Sequence, residues 1–260
     1  MAIHPTAIID NGARLGENVT IGPYAVVEAD VEVGEGTAVG AHAVLKTGLR
    51  LGKNVTVNEA AVLGGLPQDL KFSGARSYAV VEDGATIREF ATIHRSAQED
   101  GVTRIGRNCF IMSYGHVAHD CDIGEDTIIA SSTTLGGHIR IGPKAFISGG
   151  VVIHQFTRVG ELAMVGGGSK VNLDVPPFVT VDGVPARVIG LNTVGLRRAG
   201  VAAEEIKTLK GAYRALFREK RSLEQALSHL DGLEGELAAK MATFFRGSER
   251  GVCRARAAKR

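Results

Sequence analysis

An aliphatic residue returns at every sixth position along most of this chain, and no other feature limits its possible folds so sharply. The frame runs Ile3, Ile9, Leu15, Ile21 and onward to Leu63, resumes at Val81, Ile87 and Ile93, and then holds from Ile105 through Val117, Leu135 and Ile153 to Val171. Two positions before most of these aliphatics sits a small or short residue, among them Ala7, Ala25, Ala43, Cys109, Cys121, Thr127, Thr133 and Ala163. Two inward residues with one outward residue between them make a very short strand of period two.

So short a strand cannot bury its apolar face alone, and it must stack on copies of itself. Repetition at six is the signature of a parallel β-helix. Three hexapeptides per turn predict an 18-residue coil and a triangular prism; roughly ten such coils, about 4.8 Å apart, would stand about 45 to 50 Å tall. Each inward aliphatic contributes about 1.5 to 3 kcal/mol of burial before the cost of ordering the chain. Spacing leaves the handedness open, since the general rule favours right-handed crossovers.

The frame is interrupted twice without losing phase. Gly64-Gly65-Leu66-Pro67-Gln68-Asp69-Leu70-Lys71-Phe72-Ser73-Gly74 has no hexapeptide pattern and reads as a projecting loop near 64–76, where a functional role is expected. Ser96 to Val102 is shorter and reads more readily as a surface insertion. The frame ends near Asp174-Val175-Pro176-Pro177, because prolines cannot donate to a ladder. Gly183 to Arg187 is then expected to be an irregular exit. From Thr193 the period becomes helical, with one helix from about Ala202 to Lys220, a second opened by a Ser222/Gln225 capping box, and a third from Glu234 to Phe245. The expected division is a β-helix over 1–191 and a helical domain over 192–260, the helices covering an open coil end.

Thirty-four glycines and no tryptophan suit tight corners around a thin aliphatic interior. A formal net charge of +2 gives no reason to expect a nucleic-acid partner. The chain end carries Arg246, Arg250, Arg254, Arg256, Lys259 and Arg260 against Glu249, which reads either as a basic lure for an acidic partner or as a solvated tail. Cys109 and Cys121 both fill the small inward slot on different faces, as core residues of a reduced, cytoplasmic protein. The repeat begins at Ile3, and neither a signal peptide nor a membrane span is expected.

Chemistry concentrates in His116-Val117-Ala118-His119-Asp120-Cys121. With 18-residue coils, His119, Gly137 and Gln155 form one corner column and Asp120, His138 and Phe156 the adjacent one. His116 and His154 take outward positions nearby. One isolated polar residue at a corner is ordinarily just solvated, but four histidines on one side favour a site. A histidine can accept a hydroxyl proton near neutral pH, with Asp120 orienting or tuning the ring. Gly137, lacking a Cβ, would offer its N–H to an oxyanion. These are the parts of a direct acyl transfer without a covalent enzyme intermediate. Zinc bound by three histidines and a water is the rival use of such a cluster. The γ-class carbonic anhydrases resemble this scaffold and use it so, but Asp120 and the loop from Gln68 to Lys71 have no place in that reading. No metal or cofactor is therefore expected.

Six local motifs stand in order: Gln68-Asp69-Leu70-Lys71, His116 to Cys121, Leu135-Gly136-Gly137-His138, His154-Gln155-Phe156, Asp174-Val175-Pro176-Pro177 and Gly195-Leu196-Arg197-Arg198. Together they resemble the bacterial UDP-N-acetylglucosamine 3-O-acyltransferases over essentially the whole chain. The resemblance implies a left-handed coil and a homotrimer with active sites between subunits. It also implies transfer of an (R)-3-hydroxyacyl group from acyl carrier protein to the 3-hydroxyl of UDP-N-acetylglucosamine, the first step of lipid A synthesis. On the matching positions, His119 resembles the general base, Asp120 its partner and Gly137 the oxyanion donor. Gln68, Asp69, Lys71, His116, His138, His154 and Gln155 resemble substrate-contacting residues, Gly167 a position linked to acyl length, and Asn192 and Arg198 positions near the uridine and phosphates. Ala199 stands where many members carry a second arginine and Val194 where a glutamate is sometimes found, and another position linked to acyl length reads Pro185 rather than histidine. Two alternatives remain. One is the related N-acyltransferase, which carries a further N-terminal domain for which the repeat leaves no room; the other is a non-catalytic sugar-nucleotide-binding scaffold.

Overall fold

The computed structural model describes residues 2–255. Short strands stack into three sheets of 11, 9 and 8 strands, parallel and with consecutive strands in different sheets until the last two. The first sheet begins with Ala2–Ile3, the second with Ile8–Ile9 and the third with Arg14–Leu15. This is a left-handed parallel β-helix. Its regular register is 18 residues, as in Ala38 beside Thr56. The projecting loop lengthens one coil, so that Thr56 pairs with Thr86. The shorter insertion lengthens the next, so that Thr92 pairs with His116.

The period-six pattern produces this shape for a local reason. Each hexapeptide spends two residues on a strand and turns at a corner that uses a left-handed backbone; Asn18, Asp30, Asn54, Asp126 and His138 all have φ between 52° and 59°. The inward aliphatics then superimpose, and Ile87, Ile111, Ile129, Ile147 and Val165 stack fully buried. Most polar residues in the small inward slot are satisfied within the wall, the buried Thr157 hydroxyl being without a partner among the described residues. Thr37 donates to the Gly52 carbonyl at 2.9 Å, Cys109 to that of Gly124 at 3.1 Å and Cys121 to that of Gly136 at 3.2 Å. Burial raises the Cys109 thiol to about 11 and that of Cys121 to about 12, so both stay protonated donors.

At the top the structure departs from the expected irregular exit. Val179–Asp182 continues the first sheet beside Met164–Val165, and Arg187–Leu191 folds back against it antiparallel. Four helices follow: α1 (Thr193–Arg198), α2 (Ala203–Phe217), α3 (Leu223–Asp231) and α4 (Glu236–Arg246). Gly200, at φ +76°, separates α1 from α2, and α2 stops at Phe217, short of the expected Lys220. The capping box at Ser222 is formed as expected. The basic end up to Ala255 is docked rather than free. Asp174, 1% exposed, accepts from the Arg158 amide and guanidinium and from the Ser248 hydroxyl. Its own backbone pairs with that of Gly251 and Cys253. Arg246 pairs with Asp231 at 2.7 Å. Arg256, Lys259 and Arg260 lie outside the described residues. Among the described residues, no helix is long and apolar enough to cross a membrane.

Candidate active site

The corner between the second and third sheets brings the motif residues together. His116 ends up on the second sheet beside Thr134, His119 and Asp120 turn the corner, and Asp122 starts the third sheet. His119 is 8% exposed. Its Nδ1 lies 2.7 Å from Asp120 Oδ2. A carboxylate only accepts, so Nδ1 carries the proton and the Nε2 lone pair faces outward. The ring leans over Gly137: a Cβ there would stand 2.8 Å from Nε2 and 2.7 Å from Cε1. Steric room, not φ, demands glycine. The Gly137 N–H has no acceptor among the described residues, as befits a corner amide beside a site.

Asp120 holds several donors at once. Oδ1 accepts a short bond from the Ser96 hydroxyl, while Oδ2 accepts from the Ala97 amide at 3.2 Å and from His119. Burial works to raise this carboxyl; the bonds from Ser96, His119 and Ala97 outweigh it and hold it below the ordinary aspartate range. His138 stands one coil above, its Nε2 3.6 Å from Asp120, edge-on to His119 at 5.2 Å and stacked on Phe156 at 4.6 Å. Donor atoms of His119, Asp120 and His138 lie within 4.8 Å of one another, close enough to share a metal ion. Coordination there would displace the His119–Asp120 hydrogen bond, so this donor set fits an acid–base pair better.

His154 lies farther along the same corner, its Nδ1 2.8 Å from the Arg250 guanidinium and 3.1 Å from the Gln155 carbonyl oxygen. Gln155 follows it and is exposed. A cavity of about 560 Å³ opens beside them, lined by Asp120, His138, Arg140, Phe156, Arg158 and Arg250.

Three residues here escaped the sequence reading. His94 stacks edge-on to His116 at 5.0 Å, and burial first, then His116 and His119, push its imidazole down to about 4. Burial also lowers His116, whose Nδ1 meets the Thr92 hydroxyl at 2.7 Å. Ser96 and Arg250 are the other two. The register of the lengthened coil carries the signal for His94 and Ser96, because residues 24 apart, not 18, are stacked there.

Other expected residues make no hydrogen bond to the His119–Asp120 pair. Gln68, Asp69 and Lys71 lie on the projecting loop, where Asp69 accepts from the Lys71 amide at 2.9 Å and Leu70 is fully exposed. Asn192 and Arg198 line a cavity of about 770 Å³ with Phe146, Leu162 and Met164, which is on the first sheet. Asn192 caps α1 by accepting from Gly195 and donates to the Leu162 carbonyl at 2.9 Å. Gly167 sits at the corner between the first and second sheets, and a Cβ there would meet nothing nearer than 3.5 Å.

A hexapeptide coil with a histidine–carboxylate pair at its corner defines a hexapeptide-repeat transferase, and residues 12–47 and 103–137 match the bacterial transferase hexapeptide (six repeats) profile. Residues 174–253 match the profile of UDP N-acetylglucosamine O-acyltransferase, domain 2. The acyl-[acyl-carrier-protein]--UDP-N-acetylglucosamine O-acyltransferase of Anaeromyxobacter dehalogenans is 44% identical over 260 residues, spanning 98% of this chain and 100% of that protein. Its counterpart from Sulfurovum sp. is 44% identical over 96% of this chain and 97% of its own. The solved UDP-N-acetylglucosamine acyltransferase from Campylobacter jejuni is 39% identical with a TM-score of 0.93, covering 98% of this chain and 100% of that one. The chain therefore belongs to the acyl-[acyl-carrier-protein]--UDP-N-acetylglucosamine O-acyltransferase family.

Proposed function

We propose that the protein moves an (R)-3-hydroxyacyl group from acyl carrier protein to the 3-hydroxyl of UDP-N-acetylglucosamine, the opening step of lipid A synthesis, with His119 as general base. The observation that carries this reading is the His119 ring, tied to Asp120 at 2.7 Å and leaning over Gly137. Nε2 takes the sugar hydroxyl proton as the oxygen attacks the thioester carbonyl. The Gly137 N–H receives the developing oxyanion, and Asp120 stabilises the imidazolium. Collapse of the tetrahedral intermediate breaks the carbon–sulfur bond, and the imidazolium returns its proton to the departing thiolate. No covalent enzyme intermediate is required. His116, His138, His154 and Gln155 line the sugar side, with Gln68, Asp69 and Lys71 reaching in from the loop.

The working unit in this reading is a homotrimer in the cytoplasm. Asn192 and Arg198, assigned to the nucleotide, line a first-sheet cavity, whereas His119 stands at the opposite corner. A cyclic contact joins unlike faces and would unite the two sets. Exposed Tyr24, Phe90, Tyr114, Phe146 and Val152 supply apolar surface between them that such a contact would cover. Residues 1–191 then form the catalytic β-helix and 192–260 the part that receives the carrier protein. Open space above Gly167 is offered to the acyl chain.

Purified protein given UDP-N-acetylglucosamine and 3-hydroxyacyl carrier proteins of several lengths is expected to form the 3-O-acylated sugar nucleotide. Absence of product with every donor would overturn the reading.

A further inference from the structure

We propose that the short insertion Ser96–Gly101 is a clamp on the Asp120 carboxylate, and that Ser96 is the positioning residue that sets Asp120 for His119. The inference rests on the general-base reading above.

The lengthened coil places Ser96 directly beneath Asp120, 24 residues on. Ser96 is fully buried. Its hydroxyl accepts from the Gln98 amide at 3.0 Å, which leaves its single proton for Asp120 Oδ1. The next residue, Ala97, donates its amide to Oδ2. Just beyond the insertion, the Thr103 hydroxyl accepts from the Asp120 amide at 2.7 Å. Side chain and backbone of one left-handed residue, φ 61°, are thus gripped from the coil below. A side chain at Gly101 would collide with the Ser96 hydroxyl, so the insertion closes tightly over it.

Core burial does not account for the detour, because Gln98, Glu99 and Asp100 add no buried apolar side chain. It is nevertheless fastened. Ser77 donates to the Ser96 carbonyl at 2.5 Å, the Asp100 amide donates to Arg76 at 2.7 Å, and the Arg76 guanidinium pairs with Asp100 at 2.7 Å. Arg76 and Ser77 are the returning limb of the projecting loop. The clamp therefore links that loop to the carboxylate.

Asp120 faces His119 on its own corner and His138 from the coil above, and shares its cavity with Arg140, Arg158, Arg250, Glu249 and Asp174. Ser96 is a neutral donor in this set, so its hydroxyl can be removed without changing any charge. A carboxylate with one fewer donor holds a proton more tightly, whether its own or that of the paired imidazolium.

In the full-length protein, Ser96→Ala should lower kcat roughly ten-fold, leave KM for UDP-N-acetylglucosamine within about two-fold, and move the acid limb of kcat/KM up by about half a pH unit. Ser77→Ala, which loosens the same insertion without touching Asp120, should leave that limb in place. NMR on protein labelled with ¹⁵N-histidine reads the His119 titration without turnover, its signal assigned by loss in His119→Ala. That titration should move up in Ser96→Ala and not in Ser77→Ala. Parental kcat and titration in Ser96→Ala would overturn the clamp, as would an equal shift in Ser77→Ala. The upward move in Ser96→Ala without one in Ser77→Ala, in a protein whose parent transfers no acyl group, would sink the function and leave the clamp standing.

Discussion

At the scale of single residues, the tightest constraint is the contact between His119 and Gly137. A methyl group at 137 would sit within 3.0 Å of two atoms of the His119 ring, Cε1 at 2.7 Å and Nε2 at 2.8 Å. Gly137→Ala should therefore displace the imidazole and lower kcat by roughly a hundred-fold, while thermal unfolding shifts little; steady-state kinetics beside calorimetry checks both. His94 gives a second expectation. Folding lowers its imidazole from 6.5 to about 4, so between those values the unfolded chain binds a proton that the folded chain does not. Stability from this group is complete above pH 6.5 and is lost as pH falls toward 4. The melting temperature should decline over that window, and His94→Phe should decline less. Stacking by 18 correctly joined His119 to Gly137 and Asp120 to His138, both of which lie above the insertions. It failed for His94 and Ser96, because the insertion changes the stacking interval to 24 there. The frame showed that phase survived, but not which residues the detour would place under Asp120.

At the scale of elements, stability resides in the inward ladders. Ile129 is fully buried between Ile111 and Ile147, and Ile129→Ala should cost about 3 kcal/mol, measurable by denaturant unfolding. Asp174 ties the end of the coil to the docked terminal segment through Arg158 and Ser248. Asp174→Ala leaves the Arg158 guanidinium without its carboxylate. It should release residues 247–255 to proteolysis and destabilise the protein by about 3 kcal/mol. Elements carried by a strong period were readable beforehand: the coils, both interruptions, and the capped α3. The strand Val179–Asp182 was not, since Pro176 and Pro177 precede it and its buried Val179 and Val181 fall outside the hexapeptide spacing. The helical period was read from Thr193, but no separate helix was expected before Ala202, since α1 opens with Thr193, Val194 and Gly195, all poor helix formers. It forms because Asn192 caps it and Leu196 is buried beneath it.

At the scale of the whole molecule, one chain holds its histidine corner and its Asn192/Arg198 cavity on different faces. Column arithmetic within one chain cannot join them, and the trimeric expectation came only from likeness to a family. If the site is shared, subunits carrying His119→Ala and subunits carrying Arg198→Ala should each be nearly inactive alone. Co-assembly should restore activity, since some interfaces then have both faces intact. Failure of mixed assemblies to recover would place the nucleotide elsewhere. The most direct measurement is acyl transfer to UDP-N-acetylglucosamine by the parent and by His119→Ala, with both shown to have the same oligomeric size. The general-base account predicts turnover by the parent and a loss of roughly 10² to 10⁴-fold in the variant. A His119→Ala protein that transfers acyl groups at the parental rate would contradict it.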